Sequence, residues 1–85
     1  MRTDFKILVV DDESFFRTVL NDALKDQYEI IEGQNGEEAV SLAKTEKPDL
    51  IIMDVEMPLK DGIDACRDLK ACAETRRIPV MLFTS

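Results

Sequence analysis

Four short apolar runs, alternating with amphipathic stretches, set the strongest limit on what this chain can fold into. Ile7-Leu8-Val9-Val10 stops at Asp11-Asp12, and Leu50-Ile51-Ile52-Met53 stops at Asp54. Tyr28-Glu29-Ile30-Ile31-Glu32-Gly33 is broken by Gly33 and Asn35-Gly36, and Val80-Met81-Leu82-Phe83 stops at Thr84-Ser85. Runs this short, bounded by turn residues, read as strands. Between them, Phe16, Val19, Leu20, Ala23 and Leu24 recur at helical spacing, with Ser14 as the expected N-cap. Ala39, Val40 and Ala43 share a second helical face, and Ile63, Cys66 and Leu69 a third, entered at Asp61-Gly62. The pattern predicts strands over about 6–10, 28–33, 50–54 and 80–84, and helices over about 14–25, 36–45 and 62–73. All of this fits one domain over residues 1–85.

The order βαβαβαβ, with strands apolar enough to be buried on both faces, calls for a doubly wound α/β fold with a parallel sheet. Right-handed crossovers place helices on both sides of it. Sites in such sheets lie outside the carboxyl ends of the strands, which puts Asp11, Asp12, Asp54 and Thr84 at one edge.

Composition narrows the function classes. A net charge of -7, with no Lys/Arg stripe, argues against nucleic acid or an anionic membrane as the direct partner. Cys66 and Cys72 lie six apart with no histidine in the chain, so reduced structural thiols are expected rather than a zinc or redox site. No apolar run approaches the ~20 residues of a membrane span. Met1-Arg2-Thr3-Asp4 leads almost directly into the first strand, so no signal peptide is expected, and the expected location is the cytoplasm. Gly33 and Gly36 form turns; neither G-x-G-x-x-G nor a P-loop pattern is present. Phe15 and Phe16 are expected to pack the core and its rim.

The acidic edge carries the chemistry. Adjacent parallel strands sit ~4.8 Å apart, so carboxylates ending two of them crowd one pocket. At ~4 Å and an effective dielectric of ~20, each like-charged pair costs on the order of 4 kcal/mol. A bound cation or a retained proton relieves that cost. Few oxygen ligands and an open coordination sphere suit Mg²⁺. A carboxylate beside that metal can attack phosphorus to give an aspartyl phosphate. Thr84, at the end of a neighbouring strand, is placed to donate a hydrogen bond to the phosphoryl group.

Taken together, Ile7-Leu8-Val9-Val10-Asp11-Asp12-Glu13, the run Asp49 to Pro58, Asp61-Gly62 and Ile78 to Ser85 resemble the receiver domains of two-component response regulators. The resemblance covers essentially the whole chain and implies flavodoxin-like topology. It makes Asp54 the phosphoacceptor and Thr84 the switch hydroxyl. It also makes Asp11, Asp12, Asp54 and the backbone carbonyl of Glu56 the Mg²⁺ site, and favours Asp12 as the direct ligand of the acidic pair. The implied partners are a sensor histidine kinase or histidine phosphotransfer protein, and an output domain or effector outside this chain. Such a domain promotes its own phosphorylation and dephosphorylation without turning over a separate substrate. An interaction module independent of phosphorylation would be expected to have lost Asp12 or Asp54. An aspartate-based phosphotransferase of the haloacid-dehalogenase kind would want Asp-x-Asp, where this chain has Asp54-Val55-Glu56.

The family also carries a lysine at the end of a fifth strand, and this sequence stops before that point. Lys60 and Lys70 are no substitutes. With the fifth strand and the fourth and fifth helices lacking, weak phosphorylation is expected. The fourth strand becomes an open apolar edge, and apolar residues of strands one and three are expected to meet water. Homo-oligomerisation through that strand, or partial unfolding, is the expected outcome.

Overall fold

The computed structural model of the chain describes residues 4–84. Met1-Arg2-Thr3, and Ser85 at the end of the fourth run, lie outside the described residues. The strands are β1 (Lys6–Val10), β2 (Glu29–Gly33), β3 (Leu50–Asp54) and β4 (Val80–Phe83). The helices are α1 (Ser14–Leu24), α2 (Gly36–Glu46) and α3 (Gly62–Ala71). All pairings are parallel, in the order β2-β1-β3-β4.

That order fixes where the helices go. The chain moves outward from β1 to β2 and then back across β1 to β3, so right-handed crossovers put α1 on one face and α2 on the other. The step from β3 to β4 continues in the second direction, which seats α3 beside α2, and the two helices pack together. The main core lies beneath them: Leu8, Val10, Ile51 and Met53 from the sheet meet Ala39, Ala43, Ala65 and Leu69, all without solvent exposure. Alanines at the helix contacts let α2 and α3 lie close to the sheet, and the larger strand residues fill the space between.

On the α1 face the outcome differs from expectation. Ile7 and Val9 are buried despite α1 being the one helix there among the described residues, whereas Ile52 is half-buried. The water-facing apolar surface lies instead on helices, a loop and the β4 edge: Phe15 is 81% exposed, Leu59 78%, Met81 57%, Val19 46% and Ile63 40%. Phe15 therefore packs neither core nor rim, while Phe16 packs on Phe83 of β4 with ring centroids 4.5 Å apart. Side chains at the outer stripe of α1 have no second layer to meet among the described residues.

Several local expectations are also corrected. Ser14 is the first residue of α1 rather than its cap; the cap position is Glu13, which makes no side-chain capping bond. Asp11 Oδ1 accepts from the Glu13 amide at 2.9 Å and closes the turn from the strand side. β2 is an edge strand with Glu29 and Glu32 exposed, so it is not buried on both faces. The third helix ends at Ala71, because the buried Thr75 donates its hydroxyl to the Leu69 carbonyl at 2.7 Å and turns the chain toward β4.

Candidate functional site

The register of the central pair builds the site. Val10 lies beside Met53, so one step further brings Asp11 level with Asp54. One carboxylate oxygen from each of Asp11, Asp12 and Asp54 lies within 4.8 Å of the others. Asp11 and Asp54 are both 4% exposed, whereas Asp12 faces solvent. Among the described residues no lysine or arginine forms an ion pair with any of the three; Arg17 pairs with Glu32 and Lys60 with Asp68. Burial pushes the Asp11 carboxyl above the ordinary value, the Glu13 amide works against this, and the neighbouring Asp54 and Asp12 add to the rise. A proton at Asp11 and a cation in the cluster therefore compete, and either relieves the crowding. Three oxygen donors with one open side fit a hard divalent ion that keeps part of its water.

Asp54 is held by its backbone on both sides. The Val55 amide donates to Phe83 of β4 at 2.9 Å, and Asp54 Oδ1 accepts from the Glu56 amide at 3.3 Å. The Gly62 amide donates back to the Val55 carbonyl at 2.7 Å, closing the loop Val55 to Asp61 onto the start of α3. Asp61 caps α3, accepting from the Asp64 amide at 2.8 Å. Within this loop Leu59 adopts φ 70, a left-handed conformation unusual for a branched residue. The Lys60 amide donates to Pro58 at 2.8 Å around it, and the Lys60 carbonyl accepts from the Gly36 amide at 2.9 Å. The strained turn is thus fastened to α2.

Of the residues singled out in the sequence, Asp11, Asp12 and Asp54 converge, with Glu56 two residues after Asp54, the last residue of β3. Thr84 lies one residue past Phe83, the register partner of Asp54, and is exposed. Lys60 is bound to Asp68 at 2.6 Å and Lys70 caps the carbonyls of Arg76 and Ile78, so both are occupied away from the cluster. Arg17 was not legible as a site residue. It is the buried side chain of α1, donating through Nε to Glu32 at 3.0 Å and through an NH1 hydrogen to the Asp11 carbonyl. Its spacing from Leu20 and Leu24, three and seven residues on, is the signal that places it on the inward stripe.

Known proteins share this sequence pattern and fold. Residues 7–85 match the model of the response regulator receiver domain. The chain is 46% identical over 83 residues to the protein-glutamate methylesterase/protein-glutamine glutaminase of Vibrio parahaemolyticus, covering 94% of this chain and 22% of that protein. The signal receiver domain of a histidine kinase from Syntrophus aciditrophicus superposes with a TM-score of 0.89 at 40% identity, over 95% of this chain and 62% of that one. The receiver domain of a sensor histidine kinase from Pseudomonas aeruginosa, which carries a magnesium ion in its active site cleft, superposes with a TM-score of 0.88 at 31% identity, over 94% and 66%. The chain thus spans about a fifth of its methylesterase relative and just under two thirds of these receiver structures. With its parallel 2-1-3-4 sheet and strand-end carboxylates, it belongs to the response regulator receiver domain family.

Proposed function

We propose that this chain is a phosphorylation switch that accepts a phosphoryl group on Asp54 from a histidine kinase or histidine phosphotransfer protein. The observation that carries the reading is the convergence of the Asp11, Asp12 and Asp54 carboxylates, two of them buried, with no lysine or arginine among the described residues in an ion pair with them. Asp11, Asp12, Asp54 and the Glu56 carbonyl would hold Mg²⁺, which supplies charge neutralisation at the transferring phosphoryl group. Asp54 is the attacking oxygen, kept in line by its backbone ties to β4 and α3. Thr84, at the open end of β4, donates its hydroxyl to the phosphoryl oxygens and reports the charge there. No turnover of a separate substrate is assigned to these residues. Treatment with a small phosphodonor and Mg²⁺, followed by mapping of a hydroxylamine-labile adduct, tests the reading.

Metal binding has its own test. Mg²⁺ at tenfold its Kd should stabilise the chain by about 1.4 kcal/mol, or ~5 °C or more in Tm for a domain of this size. Asp12→Ala should abolish that rise while slightly raising the metal-free Tm, because it removes one of three crowded charges. A Mg²⁺-dependent rise of the same size in Asp12→Ala would exclude this cluster as the metal site.

For the 85-residue chain by itself, we propose self-association through β4. Its outer edge has no strand partner among the described residues, and Met81 on it is 57% exposed. Val80–Phe83 contains no charge and no proline to blunt pairing. Light scattering across a dilution series should show a dimer or larger species that dissociates on dilution. A monomer at every concentration, with strong amide protection along β4, would refute it. No helix among the described residues is long and apolar enough to cross a membrane.

A further inference from the structure

We infer that Arg17 is a positioning residue for the acidic cluster: it holds the peptide joining Asp11 to Asp12 through a tether anchored on Glu32. The inference rests on the phosphoacceptor reading, since the geometry it concerns is that of the proposed metal site.

A charged side chain only 11% exposed is costly unless it is paired, and the Arg17 guanidinium is paired in two directions. Its Nε donates to Glu32 Oε1 at 3.0 Å, and its NH1 donates to the Asp11 carbonyl. The carbonyl carbon and oxygen of Asp11 share a rigid plane with the amide nitrogen and Cα of Asp12. A donor fixed on that oxygen therefore fixes the direction in which the chain leaves Asp11, and with it the place of the Asp12 Cα. The other polar groups of Asp11 are also engaged. Its amide donates to the Gly33 carbonyl at 3.2 Å and its Oδ1 accepts from the Glu13 amide at 2.9 Å. Asp12 itself is exposed, so its position depends on the peptide before it. A planar fork reaching two acceptors at a set angle suits this task, and an ammonium does not reproduce it. A role confined to filling space under α1 would be met by leucine or methionine at less cost.

The test is a MgCl₂ titration of the isotope-labelled chain, followed through the amide signals of Asp54 and its neighbours, with metal-free melting measured in parallel. Arg17→Met should weaken Mg²⁺ binding by about tenfold or more, the size seen when partners of metal ligands are removed. Arg17→Lys should recover part of the loss. Glu32→Gln keeps an acceptor but loses the charge, and should weaken binding by a smaller factor. Unchanged Mg²⁺ affinity in Arg17→Met, whatever its Tm, would overturn the inference and leave Arg17 a stability role alone. Should Arg17→Met fail to fold, unchanged affinity in both Arg17→Lys and Glu32→Gln overturns it equally. A wild-type chain with no saturable Mg²⁺ response defeats the phosphoacceptor reading and the tether with it. A normal wild-type response with unaltered variants defeats the tether alone.

Discussion

Incubated with acetyl phosphate and Mg²⁺, the chain should gain a hydroxylamine-labile phosphoryl group on Asp54, and the Asp54→Asn variant should gain none. Asparagine keeps the size of the side chain but supplies no anionic oxygen to attack phosphorus, so incorporation should fall to background rather than by a fraction. Labelling of the wild-type chain should itself be slow. Lys60 is held by Asp68, and no lysine or arginine among the described residues forms an ion pair with the three carboxylates. The same substitution should stabilise the metal-free protein. Burial first, and Asp54 after it, raise Asp11 above 3.8 in the folded state. The folded state then binds that proton more tightly than the unfolded one, so stability falls as pH rises from about 3.8 through the raised value. Removing the Asp54 charge removes one cause of the rise and should flatten this dependence. Label retained in Asp54→Asn, or mapped to Asp11 or Asp12, would show that the acceptor is wrongly assigned.

The second large effect is expected at Gly62, which carries no catalytic group. A Cβ there would fall well inside van der Waals contact distance of the Asp54 carbonyl oxygen and 2.9 Å from the Val55 Cα. Both are backbone atoms of β3 and its exit, so neither can rotate aside. Gly62→Ala should destabilise the chain by about 2–3 kcal/mol, an overpacking cost that outweighs the ~1 kcal/mol alanine gains in helix propensity. Urea denaturation measures it. Gly33→Ala is the control: its nearest neighbour would be the flexible end of Leu42 at 3.4 Å, and the change should stay near 1 kcal/mol or below. Equal and small losses in both variants would mean that the α3 start can shift without disturbing β3.

Much of the architecture could be read from local pattern. Strand length, the turn residues after each run and helical spacing are properties of short segments, and they placed every element to within about two residues. The site followed because parallel strands deliver their carboxyl ends to one edge, so Asp11 and Asp54 met without any knowledge of side-chain packing. What escaped depended on distant contacts. Arg17 reads as one more charge on a helix until β2 places Glu32 opposite it. Ser14 has the chemistry of a cap, but the turn is closed by Asp11 instead. Phe15 and Val19 follow the apolar stripe, yet among the described residues α1 has no second helix on its face to cover them. The end of α3 was set by the Thr75 hydroxyl, which no periodicity predicts.

The ties around the cluster are distributed unevenly, and that has a mechanical consequence. On one side Asp11 is engaged at its amide, carbonyl and carboxylate, and the loop after Asp54 is fastened through Gly62 to α3 and through Lys60 to α2. On the other side Thr84 stands exposed beyond β4, and its hydroxyl makes no hydrogen bond among the described residues. The cleft therefore has one stiff wall and one compliant wall. A dianion seated on Asp54, as proposed, would meet the stiff wall on one side and push on the compliant one, so displacement would run along β4 toward Phe83 and the Phe16 ring of α1 that it packs against.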